Sequence, residues 1–340
     1  MFGRRAIESE RHPTLADVAR AARVATSTAS RALQESPQIS ETTKLRVREA
    51  ARGLGYRPNR LAQSLRKQTA SLVGIVVPDI GAPFFSRVVK GAQHVLERNG
   101  IAVLVMNTER EPEREVAALQ TLLEHRVGGI LVATTGGSTA EPKVPTVYFD
   151  NIVLNRGVGN VTRANRAGMQ LLVGHLREHG HDRIGYIGGP PLLTSGIERL
   201  DGYRDAVREL GLVDRDEYVQ FGEKTWSAHS GAAAMERLLA LPDPPTAVVT
   251  SGESFAFGAL SACRTRGRRV PDDVALVSFD DPPFGDLIDP PLTALRPDEE
   301  EMGRLAASLL LHALQATAVP QPAEVRLPVE LVVRRSCGCQ

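Results

Sequence analysis

The sequence predicts two fold classes in one chain: an all-α head followed by an α/β body. Three observations predict it. Residues 14–56 carry helical periodicity in short bursts. From Leu72 onward, short apolar runs alternate with amphipathic stretches, the texture of parallel sheets covered on both faces. The charges are also split. Residues 1–70 hold 14 basic and 6 acidic residues, a net of +8, whereas residues 71–340 hold 27 basic and 34 acidic, a net of −7. A basic head on an acidic body points to a polyanion held by the head, nucleic acid first.

Length and composition set the other bounds. A chain of 340 residues has room for two or three domains, each with a real core. Its apolar runs fall short of the roughly 18 residues a membrane span needs, so no membrane partner is expected. Met1 to Arg11 lacks the apolar stretch of a secretory signal, which predicts a cytoplasmic protein. Without export, the sequon Asn160-Val161-Thr162 carries no weight. Cys263, Cys337 and Cys339 are too few for a disulfide framework.

The head reads as a helix-turn-helix. Thr14 and Asp17 form a T-x-x-D capping box that opens a helix over Leu15–Ala22. Ala22-Arg23-Val24 is the turn. A second helix, Thr26–Leu33, puts Ala29 and Leu33 inward and leaves Thr26, Ser27, Ser30 and Arg31 more exposed. Ser40 caps a third, which runs to Gly53 or Gly55. Two short helices braced by a third can place the second in a major groove. In the body, strands are expected at Leu72–Val77, Ile101–Met106, Ile130–Ala133, Thr146–Phe149, Ile184–Ile187, Ala247–Thr250 and Val274–Phe279, forming one large sheet or two smaller ones. Helical patterns lie between them at Phe85–Asn99, Glu113–His125, Arg166–His179 and Phe255–Arg266.

The run Thr14-Leu15-Ala16-Asp17-Val18-Ala19, then Val24 and Ser27-Thr28-Ala29-Ser30-Arg31-Ala32-Leu33, resembles the head of the lac-repressor (LacI/GalR) family of bacterial transcription regulators. So does Gly55-Tyr56-Arg57-Pro58-Asn59 with Leu61-Ala62-Gln63-Ser64-Leu65-Arg66. The resemblance extends to the C-terminus. It implies a DNA-binding head over 1–58, a hinge over 59–70, and an effector-binding and dimerisation body over 71–340. The body would be two periplasmic-binding-protein-like, doubly wound subdomains. These would span 71–162 with 297–324, and 163–296 with 325–340. The expected partners are a palindromic double-stranded operator, a small effector and a second copy of the chain.

Carried over residue by residue, the resemblance implies that Thr26, Ser27 and Arg31 read bases. A guanidinium such as that of Arg31 bonds bidentately to guanine. Thr14, Thr28, Ser30 and Tyr56 would hold phosphates, fixing register. In the hinge, Pro58 and Asn59 suit a helix start, and Asn59–Lys67 is too short to be stable alone. The resemblance implies that this helix folds on DNA and pairs with its mate, with Asn59, Leu65 and Arg66 at the minor groove and Leu65 wedged between base pairs. Two departures stand out. Arg23 occupies the turn where the family has Gly, and Ala25 precedes the second helix where it has a capping Ser. Thr26 is therefore expected as a shifted cap.

For the body, the resemblance implies an effector site from Phe84, Phe85, Asp150, Arg199, Trp226 and Asp280, with a sugar as ligand. Each has a packing alternative: Phe84 and Phe85 as core, Trp226 as a surface anchor, Arg199 and Asp280 as a lobe-stabilising pair. Ser251-Gly252-Glu253 stands where the family commonly has Ala-Asn-Asp, which removes a two-way hydrogen-bonding amide. Nucleosides and carboxylated metabolites therefore stay open. No cofactor or metal is expected, since the sequence shows no P-loop, no dinucleotide fingerprint, no zinc-spaced cluster and no nucleophile–base set. Adjacent Asp280 and Asp281 should point two ways, and Cys337-Gly338-Cys339 reads as a solvated tail, with a soft-metal site or a strained loop as the alternatives. A chain without heptads after Val333 suggests a dimer. Rival readings are a solute-binding protein with an incidental head, and an enzyme on the same fold. The first lacks a signal peptide and the second a catalytic set.

Overall fold

The computed structural model describes residues 13–56, 72–136, 142–222, 226–316 and 322–339. The chain divides into two compact units, Met1–Thr69 and Ala70–Gln340.

The first unit holds three helices, α1 (Leu15–Ala21), α2 (Thr26–Leu33) and α3 (Glu41–Gly53). Thr14 caps α1 through the full reciprocal box with Asp17, and Ser40 caps α3 by accepting from the Thr43 N–H. Ala25, at the N-cap of α2, offers no side-chain bond. The shifted cap expected of Thr26 is thus absent, because Thr26 is already helical. Arg23 turns the chain at φ +52, a left-handed conformation that glycine adopts without steric cost. Val18, Ala19, Ala22, Ala29, Ala32, Val47 and Ala51 form the core. Ala32 joins Ala29 inside, while Leu33 is only half-buried.

The second unit holds two six-stranded sheets. In the first, the order is β11 (Ala323–Leu327), β5 (Gly159–Arg163), β4 (Thr146–Phe149), β3 (Gly129–Val132), β1 (Leu72–Val77) and β2 (Ala102–Asn107). Every neighbouring pair is parallel. In the second, it is β12 (Val329–Val332), β10 (Thr293–Pro297), β9 (Ala275–Ser278), β8 (Ala247–Thr250), β6 (Ile184–Gly188) and β7 (Val219–Phe221), with only β12 antiparallel. Of the two arrangements left open by the sequence, the chain adopts two sheets. It passes between them after Arg163, after Pro297 and at Pro328. The last crossing falls beyond the expected position near 324 because β11 continues to Leu327 in register with β5.

Helices cover both faces of each sheet, so each lobe has two apolar layers. In the first lobe they are α4 (Pro83–Arg98), α5 (Pro112–Glu124) and α10 (Glu299–Gln315). In the second they are α6 (Asn165–Glu178), α7 (Thr194–Glu209), α8 (Ala228–Leu239) and α9 (Glu253–Thr265). Helices α4 and α10 touch backbone to backbone. A Cβ on Gly91 would lie 2.0 Å from the Glu300 carbonyl oxygen, and one on Gly303 2.0 Å from that of Val88. The Cys337 segment is not a solvated tail. It forms a short 3-10 turn, Arg335–Cys337, that Ser336 pins to the second sheet by donating to the Leu276 carbonyl at 2.5 Å and accepting from Thr293 N–H at 2.8 Å. No helix among the described residues is long and apolar enough to cross a membrane.

Candidate functional site

On the head, Thr26, Ser27 and Arg31 are exposed on α2, and Thr28 and Ser30 are half-buried beside them. Among the described residues no carboxylate pairs with Arg31, whereas Arg20, Lys44 and Arg48 pair with Asp17, Glu41 and Glu35. The Thr14 hydroxyl donates to Asp17 at 2.6 Å, so it already serves the cap of α1. Tyr56 packs half-buried against the head core. Asn59, Leu65 and Arg66 lie outside the described residues.

In the body, the relevant side chains stand at the carboxyl ends of the parallel strands, the usual place for a ligand in such sheets. Asp79 and the first turn of α4 follow β1, Arg110 follows β2, Asp150 follows β4, and Arg163 ends β5. In the facing lobe, Ser251 to Glu253 follow β8 and Asp280 follows β9. Two of these positions, Arg110 and Asp150, hold left-handed backbone at φ +62 and +67, as does Glu109 beside Arg110 at φ +52. Such conformations cluster at ligand clamps and persist only where surroundings fix them. Asp150 is fixed by its N–H to the Val161 carbonyl at 2.9 Å and by the Thr162 hydroxyl on its own carbonyl at 2.8 Å.

At the centre is Arg163, whose side chain is 4% exposed. It donates to Asp150 at 2.8 Å and to Asp280 at 2.6 Å, one carboxylate from each lobe. Its guanidinium lies 4.2 Å from the Phe84 ring centre and 5.4 Å from that of Phe279. Burial alone would lower its pKa, but Asp280 and Asp150 outweigh burial and raise it. Arg199 is buried beside it, donating to Asn165 at 3.0 Å and to the Ser251 carbonyl, with Asp280 at 3.9 Å and the Phe279 ring at 3.8 Å. Burial, and then the like charge of Arg163, hold Arg199 down to about 10. Two donors in this cluster, Arg163 Nε and Arg199 Nη2, are buried without a hydrogen-bond partner among the described residues. Such orphans are costly in a finished core.

An open cavity of about 410 Å³ lies between the lobes, lined by Asp79, Gly81, Ala82, Pro83, Arg110, Glu253, Ser254, Phe257 and Pro283. None of the six expected effector residues lines it directly. Asp150, Arg199 and Asp280 are drawn together around Arg163, and Phe84 stacks on that arginine. Phe85 is core, 5% exposed. Trp226 is half-buried, 5.1 Å from the Phe255 ring. It reaches the site through Arg110, whose guanidinium lies 5.9 Å from the indole and 6.0 Å from the Phe85 ring. The lobes are further pinned by Asn151, which accepts from Ser195 N–H and hydroxyl at 3.0 and 2.7 Å. Asp280 and Asp281 do point two ways. Asp281 accepts from Arg296 and Arg334 at 2.8 Å each.

Sequence reasoning missed Arg163, Arg110 and Glu253 as site residues. Arg163 closes a run, Gly-Asn-Val-Thr-Arg, too polar to read as a buried strand. Its signal was a lone arginine at the expected lobe crossing. Glu253 registered only as a departure from the family pattern. Burial, and then Asp280, push its carboxyl up to about 7.

Residues 14–59 match the bacterial regulatory proteins of the lacI family, and residues 173–337 match a periplasmic binding protein-like domain. The chain is 32% identical over 352 residues to the HTH-type transcriptional repressor CytR of Escherichia coli strain K12, with 98% of each chain covered. Its structure resembles that of the lac repressor dimer bound to operator and the anti-inducer ONPF, with a TM-score of 0.83 and 26% identity over 96% of this chain and 99% of that one. It also resembles the transcriptional regulator CelR in complex with cellobiose, with a TM-score of 0.71 and 31% identity over 95% and 99%.

Proposed function

Since this chain belongs to the lacI family of bacterial regulatory proteins, we propose that it is a homodimeric repressor whose grip on a palindromic operator is set by a neutral, polyhydroxylated effector, a sugar, held between the two lobes. The chain is a DNA-binding transcriptional regulator and not an enzyme. Thr26, Ser27 and Arg31 read bases, and Thr28, Ser30, Thr14 and Tyr56 hold the backbone. The hinge, with Asn59, Leu65 and Arg66, couples lobe closure to the head.

The observation that carries the effector reading is the Arg163 cluster. Two arginines face two aspartates, so the group is charge-balanced, and a neutral ligand enters it without an uncompensated charge. Hydroxyls can donate to Asp150 and Asp280 and accept from the orphan N–H groups of Arg163 and Arg199. The structure of CelR in complex with cellobiose supports a sugar as the class of ligand. A homodimer is supported by β2, an edge strand of the first sheet among the described residues, where Val105 is exposed along with Val116 and Leu123 of α5.

Two measurements test this. A thermal-shift panel of sugars, nucleosides and carboxylated metabolites should single out a hydroxylated ligand, since a ligand at 100 times its Kd adds about 2.7 kcal/mol. If Arg199→Ala leaves that shift intact, the cluster is not the effector site. Operator binding should show a steep salt dependence, and Arg31→Ala should weaken it by about 1–3 kcal/mol while relaxing preference at one base pair. An equal loss on operator and random DNA would remove Arg31 from the base-reading set.

A further inference from the structure

Far along the sequence from one another, four soft donors meet on the second lobe. His175 and His179 stand one turn apart at the C-terminal end of α6. Cys337 and Cys339 flank Gly338, beyond β12. The donor atoms of His175, Cys337 and Cys339 all lie within 4.8 Å of one another. Cys339 Sγ is 3.3 Å from His175 Nε2, 3.0 Å from His179 Nε2 and 2.7 Å from Cys337 Sγ.

The imidazole of His179 is already set for ligation. Its Nδ1 lies 2.8 Å from the His175 carbonyl oxygen. A carbonyl only accepts, so Nδ1 carries the hydrogen and Nε2 presents its lone pair to the sulfur. That is the outer-shell arrangement that orients metal-binding histidines. His175 and Cys337 are buried, Cys339 is half-exposed and His179 is exposed. The site therefore has a rigid inner half and an accessible outer half.

We propose that His175, His179, Cys337 and Cys339 form a tetrahedral site for a thiophilic divalent cation of the zinc type. Two thiolates with two imidazoles are a preferred donor set for that ion. Bonds of about 2.3 Å to sulfur and 2.0 Å to nitrogen put the sulfurs roughly 3.8 Å apart, and each sulfur roughly 3.5 Å from each nitrogen. The distances from Cys339 Sγ to the two imidazole nitrogens, 3.3 and 3.0 Å, are within about half an ångström of this. The sulfurs must part by about 1 Å, which Cys339 can supply by moving outward about Gly338, a left-handed glycine at φ +86. The bound ion fastens the segment after β12 to α6. Cys337 lies three residues past Arg334 and five past the end of β12, the strand that pairs with β10. The site is independent of the effector cleft and stands whether or not a sugar binds there.

The test uses the full chain, stripped of metal by a chelator under reducing conditions and titrated with Co²⁺. One Co²⁺ per chain should bind, with thiolate charge-transfer absorption and the intense visible bands of a tetrahedral ion, bleached by Zn²⁺. Cys339→Ser and His179→Ala, both at the outer half, should each weaken binding by more than about 100-fold, above the range for losing an outer-shell partner. Cys263→Ala, in the core, should leave it unchanged. Circular dichroism establishes that each variant is folded. Absence of the bands in the reduced, folded chain overturns the site, as does a spectrum that survives Cys339→Ser. A reduced thiol count that falls from three to one in air, with no metal uptake, also overturns it and makes the pair a redox couple instead.

Discussion

Replacing Arg163 by methionine should cost the body about 3 kcal/mol. The side chain is 4% exposed and bonds two carboxylates, Asp150 and Asp280, that are themselves only 12% and 18% exposed. Removing one partner of a buried pair leaves the other charge stranded, at a cost of about 3–5 kcal/mol. Two features hold the loss near the lower bound. Asp280 keeps Arg199 at 3.9 Å, and Arg199 is relieved of the like charge that lowers it. Methionine also keeps an apolar contact with Phe84. For a unit this size a loss of about 3 kcal/mol lowers the melting temperature by roughly 6 °C. Trp226 is the one tryptophan in the chain, so its fluorescence follows the second lobe through a urea melt. Arg163→Met combined with Asp150→Asn should be more stable than Arg163→Met alone, because it removes a stranded charge. A single-variant loss under about 1 kcal/mol, the level of an exposed pair, would refute the bridging role, as would a double variant no better than the single.

Two other perturbations probe the head and the cleft. Ala25→Ser supplies the cap that α2 lacks and should stabilise the head by about 1 kcal/mol, read as slower hydrogen exchange at the α2 amides; unchanged exchange would mean the helix start is held by other means. The Glu253 carboxyl, raised from 4.5 to about 7 by burial and then by Asp280, favours its protonated form in the fold, so its contribution to stability is full below about pH 4.5 and is lost as pH rises through 7. Glu253→Gln should therefore raise the melting temperature at pH 8 and leave it nearly unchanged at pH 4.5, and equal melting of both proteins at pH 8 would rule this out.

How much was legible in the sequence depended on what carried the signal. The helix-turn-helix could be read because caps and periodicity are local: Thr14 with Asp17, and Ser40, sit where the structure uses them. Six of the seven strands read from the sequence are central, with both faces covered and apolar runs; the seventh, β2, lies at a sheet edge but keeps an apolar run. The missed strands sit toward sheet edges or carry polar residues inward. In β5, Asn160, Thr162 and Arg163 are buried and bonded to residues outside the strand, Val153, Asp150 and Asp280, so their burial leaves no periodic trace. The same limit hid the Arg163 cluster, assembled from residues 150, 163, 199 and 280. It also hid the Cys/His cluster, in which the two pairs are some 160 residues apart. Spacing rules find ligands on one element; they are blind to donors that only topology unites.

The Arg163 bridge also bounds what an effector must do. A ligand shifts a conformational equilibrium only by the difference between its affinities for the two states. Moving the body from 1:99 to 99:1 takes about 5.5 kcal/mol of such difference. If the change parts Asp150 from Asp280, the ligand must also offset the bonds Arg163 makes to them. A hydrogen bond to a charged group contributes about 1.5–3 kcal/mol, so one hydroxyl cannot supply the shift. Under the proposed reading, then, the effector must engage at least two of Asp150, Asp280 and Arg199 together, which requires neighbouring hydroxyls rather than a single polar handle. On the same reading, contacts with Phe84 and Trp226, neither of which lines the cavity directly, would add affinity in either state and so little selectivity between them. The polar cluster, and not the aromatic contacts, is where the switch between DNA-bound and released forms has to be made.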